Sequence, residues 1–333
     1  MTDLVAETST ATAPAPGTEQ LEQHRVELTA YCYRMLGSAF EAEDAVQETL
    51  VRAWRGLDRF EGRASLRSWL YRIATNVCFD LLNGTKRRAR PMDLGPAQSA
   101  SAPVGGTLPE TTWIQPIPDD RVLPAHADPA DLAVARDTVR LAFIAALQHL
   151  PPQQRAVLIL REVLSWRAAE VAGLLGTSVA SVNSALQRAR ATLAARDLEP
   201  AEPQSPLDDA DRELLARYVD AFERYDMDEL TSLLHEDATQ SMPPYELWLH
   251  GRRDILDWWT GTGAGCRGSR LLPTQANGRP AFAQYRPSGP RGTFQPWSLQ
   301  VLEVVDGKIV ELTFFLDTER LFPLFGIPAT PDG

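Results

Sequence analysis

Between positions 181 and 190 the residues Ser181, Asn183, Ser184, Gln187, Arg188 and Arg190 alternate with apolar Val182, Leu186 and Ala189, and Leu193 follows. Apolar spacings of four, three and four trace one face of a helix, which leaves the polar set on the other. Asn and Gln can pair with adenine edges, Arg with guanine, and Ser with backbone phosphate. This chemistry suits recognition of duplex DNA and not covalent catalysis; a plain three-helix bundle is the competing reading. Earlier in the chain Arg63, Arg67 and Arg72 interleave with Trp69, Tyr71 and Phe79, and the run Lys86, Arg87, Arg88, Ala89, Arg90 closes the segment. Cations among aromatics suit melted or single-stranded DNA, where bases stack and phosphates need countercharge; a core stripe with a solvated basic end is the competing reading. A third set, His235, Asp237, Tyr245, Glu246 and His250, holds the polar candidates for acid–base work in a pocket. No acid–base pair among them is set by spacing, so the chain is not expected to be an enzyme. Cys32, Cys78 and Cys266 lie far apart and fit no zinc spacing. Free thiols in a reducing compartment are expected, with no metal and no cofactor.

The elements that must position these groups follow from punctuation. Pro151 and Pro152 open a helix, Ser165 can cap a second, Gly176 supplies a left-handed stop, and Thr177 or Ser178 caps a third. This is a helix-turn-helix pattern with its last helix available to a major groove. Ser65 can likewise cap a helix carrying Leu66, Trp69, Leu70, Ile73, Ala74, Val77 and Leu81 as its apolar stripe. The preceding segment, "EAEDAVQETLVRAWRGLDRF", is amphipathic, with Ala45, Leu50, Trp54 and Leu57 on one side and Asp44, Gln47, Glu48, Arg52 and Arg55 on the other.

Composition divides the chain. Residues 1–20 form an uncharged-to-acidic tail without the features of a signal peptide, and no run approaches a membrane span. Residues 21–90 and 131–197 are helical modules. Residues 91–130, rich in Pro, Gly and Ala, read as a flexible linker with a span of about 35 Å, or roughly one turn of DNA. A short break at 198–207 precedes a mixed region, 208–327, and a tail, 328–333. That mixed region begins with helices and continues with alternating strand-like runs, including a hairpin turn at Asp306-Gly307. The fold class is therefore multidomain: two all-α modules, then an α+β domain. Net charge is −11, yet Arg52–Arg90 holds ten Lys or Arg against three Asp or Glu. A local basic face matters more for DNA than the global sum.

The segments "DAVQETLVRAW", "FEGRASLRSWLYRIATNVCFDLL" and "LPPQQRAVLILREVLSWRAAEVAGLLGTSVASVNSALQRAR" together resemble the sigma-70 family of RNA polymerase sigma factors, extracytoplasmic function (ECF) class, over about residues 20–197. The resemblance implies that Asp44, Gln47, Glu48, Arg52 and Trp54 meet core polymerase at the β′ clamp coiled coil, with β as a further contact. It implies that the Gly62–Leu66 loop, with Arg63 and Ser65, pockets a flipped −10 base, that Asn76 reads the −10 element, and that Lys86–Arg90 hold adjacent backbone. Asn183, Ser184, Gln187 and Arg188 match −35-reading positions. The implied partners are polymerase core and promoter DNA, in the cytoplasm and away from membrane. "MPPYELWLHGRRDILDWW" and "DGKIVELTFFLD" resemble the SnoaL-like branch of the nuclear transport factor 2-like superfamily, whose cone-shaped fold encloses a pocket. This implies a regulatory domain that could take a small hydrophobic ligand. Two rivals remain open: a helix-turn-helix regulator independent of polymerase, and a pocket enzyme with a DNA-binding half.

Overall fold

The computed structural model describes residues 18–62, 64–125, 127–196 and 208–332. Most of the expected tail, Arg63 and the 198–207 break lie outside these residues, although the first helix already starts at Thr18. The first module comprises α1 (Thr18–Glu22), α2 (Arg25–Leu36), α3 (Ala39–Gly56) and α4 (Leu66–Leu82). Gly37 ends α2 at φ 71°, Ser38 caps α3 by accepting from Glu41 N, and Ser65 caps α4 by accepting from Ser68 N. The buried face of α3 is Ala39, Ala42, Ala45, Val46, Thr49, Leu50 and Ala53. Trp54, grouped by hydrophobicity with that face, instead stands 60% exposed.

Residues 91–125 are not a free linker. They contain little regular structure beyond the single turn α5 (Asp119–Val122), yet their backbone is paired at many points. Ala89 N donates to Thr112 O, Ile114 N to Ala89 O, and Gln115 N to Gly37 O, which ties the strap to the first module. Gln98 N donates to Trp248 O and Leu108 N to Pro244 O, which ties it to the C-terminal domain. Trp113, Ile114, Gln115 and Ile117 are buried. A Pro-rich chain that cannot build its own ladder has found its hydrogen-bond partners in two neighbouring domains, satisfying the backbone groups it buries.

The second module runs α6 (Pro129–Asp137), α7 (Leu141–Gln148), α8 (Pro152–Leu158), α9 (Ala168–Leu175) and α10 (Val179–Ala194), with a π-helical turn at Ile159–Val163. Ser165, expected as a cap, sits in the turn at φ 54°; Arg167 takes the N-cap position, and Glu170 closes the box onto its backbone N–H at 2.7 Å. Gly176 stops α9 at φ 63°, and Ser178 caps α10.

The C-terminal domain begins with α11 (Asp209–Arg224) and α12 (Met227–Leu233). Six strands follow: β1 (Leu234–Ser241), β2 (Trp248–His250), β3 (Arg270–Ala276), β4 (Arg279–Arg286), β5 (Gln295–Val305) and β6 (Lys308–Phe315). They form one sheet in the order β2-β1-β6-β5-β4-β3, antiparallel except between β1 and β6. Helix α13 (Arg252–Thr260) lies between β2 and β3, and α14 (Thr318–Leu324) follows β6. The Asp306-Gly307 turn joins β5 to β6 with both residues at positive φ.

Both faces of this sheet are buried. Ala276, Ala281, Leu299, Val301 and Phe315 share one apolar cluster with α2, α3, α4, α7, α8, α9 and α10. Phe282, Leu302, Leu312 and Phe314 point the other way, into a second cluster with α11, α12 and α13. The period of two along each strand thus divides the domain into a face against the helical modules and a face enclosing its own interior.

Candidate functional site

Helix α10 presents Ser181, Asn183, Gln187, Arg188 and Arg190 exposed on one side, with Ser184 half-buried, while Val182, Ala185, Leu186, Ala189 and Leu193 anchor the other side. Arg188 donates to Ser184 Oγ at 2.6 Å, and Arg190 pairs with Glu162 at 2.7 Å. Both ion-pair partners at Arg190 are solvent-exposed, so the link contributes little and leaves the guanidinium displaceable.

The α4 set is less uniform. Ser65, Arg72 and Asn76 are exposed, and Leu66 is half-buried. Arg67 is half-buried: it donates to Glu27 at 2.7 Å and lies 5.1 Å and 5.3 Å from the rings of Tyr71 and Trp166. Trp166 belongs to the second module and packs on Tyr71 at 5.1 Å between ring centroids. The helical modules therefore touch each other directly, through α4 and the helix-turn-helix.

Lys86 and Arg87 are exposed, and Arg87 bonds to His149, whose pKa is lowered by burial and by that neighbouring cation. Arg88 does not fit the expected DNA-contacting role in this arrangement. It is 5% exposed, donates to Trp113 O at 2.8 Å, and pairs with Glu41 at 2.7 Å and Glu110 at 3.4 Å. A buried cation needs such partners, and these occupy its donors. Arg90 is half-buried against Asp93. Asp44, Gln47, Glu48, Arg52 and Trp54 form an exposed stripe on α3, with Arg52 reaching Glu48 at 2.7 Å.

The turn between β3 and β4 was not anticipated. Asn277 and Gly278 adopt φ 57° and 71°, as a two-residue primed turn requires. Asn277 is fully buried. Its Nδ2 donates to Tyr33 Oη and to Val139 O, each at 2.7 Å, and its Oδ1 accepts from Ile117 N at 3.0 Å. One side chain thus joins the first module, the strap and the second module. Gly278 N donates to Asp119 Oδ1 at 2.7 Å, and burial raises the Asp119 carboxyl to about 6. Beside the turn, Glu303 meets Arg140 at 2.7 Å and Arg279 at 3.0 Å, and Arg279 reaches Asp137 at 3.2 Å. The signal in the sequence was an Asn-Gly pair between two apolar runs.

Inside the C-terminal domain lies a cavity of about 210 Å³. Its walls include Phe222, Tyr225, Trp258, Trp259, Trp297 and Phe314, with Gln240, Cys266 and Arg286 as polar groups. Of the expected pocket residues only Tyr245 lines it. His235 and Asp237 are exposed in β1, where the pairing with β6 shifts register between Leu234 and Thr239 and turns consecutive residues outward. Glu246 is exposed in the β1–β2 connection, and His250 is exposed at the end of an edge strand. Among the described residues no cluster of three His, Cys, Asp or Glu could hold a metal. Cys32 and Cys78 are buried, and among the described residues no helix is long and apolar enough to cross a membrane.

An exposed polar face on the last helix of a helix-turn-helix, a second basic-aromatic helix and an exposed stripe on α3 belong to two helical modules joined to a pocket-bearing α+β domain. Comparison with known proteins agrees. The family profiles for Sigma-70 region 2, Sigma-70 region 4 and the SnoaL-like domain match residues 21–88, 140–193 and 215–312. The chain is 46% identical to the ECF RNA polymerase sigma factor SigG of Mycobacterium tuberculosis, over 92% of this chain and 82% of that one. It is 33% identical to SigJ of the same species over 66% of this chain and 62% of SigJ. The crystal structure of SigJ superposes with a TM-score of 0.62 at 23% identity, covering 94% of this chain and all of the other. The chain belongs to the ECF RNA polymerase sigma factors. It is a sigma factor that binds polymerase core and directs promoter-specific transcription initiation, and carries a SnoaL-like domain at its C-terminal end. The sigma factor family is not one of enzymes.

Proposed function

We propose that the SnoaL-like domain regulates this sigma factor by holding its two helical modules in one closed arrangement that core polymerase and promoter must open. The observation that carries this reading is the buried Asn277 side chain, bonded at once to the first module, the strap and the second module. The closed form occupies groups that DNA would use: Arg67 is turned toward Glu27 and Trp166, and Arg88 is sealed beneath the strap. Polymerase would enter at Asp44, Gln47, Glu48, Arg52 and Trp54 through the β′ clamp coiled coil. Promoter DNA would be read at −10 by the Gly62–Leu66 loop, Arg72 and Asn76, and at −35 by Asn183, Ser184, Gln187 and Arg188.

The test is transcription in vitro with core polymerase, comparing wild type with Asn277→Ala at equal protein concentration. The variant is expected to widen in solution scattering and to change promoter output. A wider molecule with unchanged output would refute regulation by closure. Arg188→Ala serves as the comparison for DNA reading: it should leave molecular size alone and relax −35 preference.

A further inference from the structure

Four of the arginines enclosed in this protein, Arg88, Arg140, Arg155 and Arg279, are held by carboxylates or carbonyl oxygens. Arg286 differs. It stands on the cavity wall of the SnoaL-like domain with its guanidinium 4.0 Å over the Trp297 ring and makes no ion pair among the described residues; its buried Nε is unpartnered, as are those of Arg140 and Arg155, whose terminal nitrogens are bonded. A permanent cation among aromatic walls needs an anion to offset its lost hydration. The neighbouring chain is shaped to admit it: a Cβ on Gly265 would lie 2.3 Å from Arg286 Nη2, so a bare backbone lets the guanidinium reach the turn. Beside it, Trp258, Trp259, Phe222 and Phe314 supply flat apolar faces around the cavity of about 210 Å³. A concave, mostly apolar cleft with a few placed polar groups is the form that small-molecule sites take.

We propose that this cavity is a binding site for a compact aromatic monoanion, whose rings lie against the tryptophans and whose carboxylate is taken by Arg286. One guanidinium matches one carboxylate, with two parallel N–H donors. A compact box with flat walls suits fused rings rather than an extended alkyl chain. The site binds without turnover. The Cys266 thiol is raised by burial and stays protonated, and no lining group is a His, Asp or Glu. Val104 comes from the strap, and Thr107 and Leu108 pair with Tyr245 and Pro244 at the same mouth, so a bound ring would touch the segment that joins the helical modules. Any effect of the ligand on transcription rests on the regulatory reading above; the binding itself does not.

Calorimetry on the full chain would test this with 2-naphthoate, its uncharged counterpart 2-naphthamide, and decanoate. Wild type should bind naphthoate at least tenfold more tightly than naphthamide and more tightly than decanoate. Arg286→Gln should weaken naphthoate at least tenfold and leave naphthamide within about twofold, with its circular dichroism melt as the folding check. Should that variant not fold, Gly265→Ala, which displaces the guanidinium, should give the same loss of preference for the acid. Equal binding of acid and amide, preference for decanoate, absence of heat with all three, or an acid preference that survives both substitutions would overturn the proposal. If naphthoate binds through Arg286 yet leaves promoter output unchanged, the site stands and its coupling to transcription is what fails; regulation by closure is tested separately by Asn277→Ala.

Discussion

The two faces of the C-terminal sheet are built from the same strands to different ends. The face toward the helical modules carries Ala276, Ala281, Leu299, Val301 and Phe315, with a buried, bonded asparagine and an enclosed ion network at its edge. The alanines let backbones approach, and Asn277, Glu303 and Asp137 there have protein partners. The face toward the domain interior carries Gln240, Trp297 and Phe314 at the cavity, with Arg286, which makes no ion pair among the described residues. A completed surface and an unfinished one, one residue apart in register, are the difference between an interface and a receptor. Deeper in that interior, Tyr218, Gln300, Gln284 and Ser298 are mutually bonded, so the unfinished part is confined to the mouth.

The comparison is broken most severely at the β3–β4 turn. Gly278→Val puts a β-branched residue at φ 71° and a Cβ 2.8 Å from Arg136 Cβ and 3.0 Å from its backbone. Strain of about 1–3 kcal/mol and the steric clash add, so a loss of about 3 kcal/mol or more is expected. Thermal melting together with solution scattering should show lower stability and a wider molecule. An unchanged envelope would mean that the hairpin does not hold the modules together.

Next in size is Glu303→Gln. It removes the carboxylate shared by Arg140 and Arg279 and leaves both to Asp137, at 4.0 Å and 3.2 Å. Breaking an enclosed ion network by one partner is costly, and the remaining Asp137 softens the effect to about 2 kcal/mol. Urea unfolding should report it, and loosened docking should appear as faster amide exchange at Val139. On the opposite face Trp259→Phe deletes one buried hydrogen bond, to Gln240 Oε1 at 2.8 Å, worth about 1 kcal/mol. It should leave the docking of the modules unaltered, because Trp259 packs in the cluster enclosed by the C-terminal domain and not in the one shared with the helical modules.

What could be read from the sequence tracks what is local. The helix-turn-helix was legible because Val182, Leu186, Ala189 and Leu193 repeat with the helix, and Gly176 and Ser178 mark its ends. Residues 91–125 defeated the same reasoning. Composition registered only a lack of periodicity, while the order there comes from long-range bonds such as Gln115 N to Gly37 O and Ile117 N to Asn277 Oδ1. Trp113, Ile114 and Ile117 were the overlooked sign, since three large apolar residues in a linker seek burial. For the pocket, residue type alone points to His235 and His250, which are exposed. Following the strand alternation from Phe282 and Gln284 would have led to Arg286. Trp54 shows the opposite failure: hydrophobicity assigned it inward, and the packing of α3 leaves it outside.

The finest test of the docked face uses pH. Asp119 accepts from Gly278 N, and burial lifts its carboxyl from 3.8 to about 6. A carboxyl that is harder to ionise when folded binds more protons in the native state between these values, so its contribution to stability improves as pH falls from 7.5 toward 5. At about 1.4 kcal/mol per pKa unit, the part of that window lying above pH 5, about one unit, is worth about 1.4 kcal/mol. Asp119→Asn keeps an amide oxygen for Gly278 N and removes the titrating charge. The variant should therefore equal or exceed wild type in stability at pH 7.5, with the advantage shrinking as the buffer is acidified. Paired urea titrations at pH 7.5 and 5.0 measure this as a difference between the two proteins, cancelling the other carboxyls. A constant offset at both pH values would show that Asp119 does not titrate at the turn, and that the docked face is held by Asn277 and the ion network without its help.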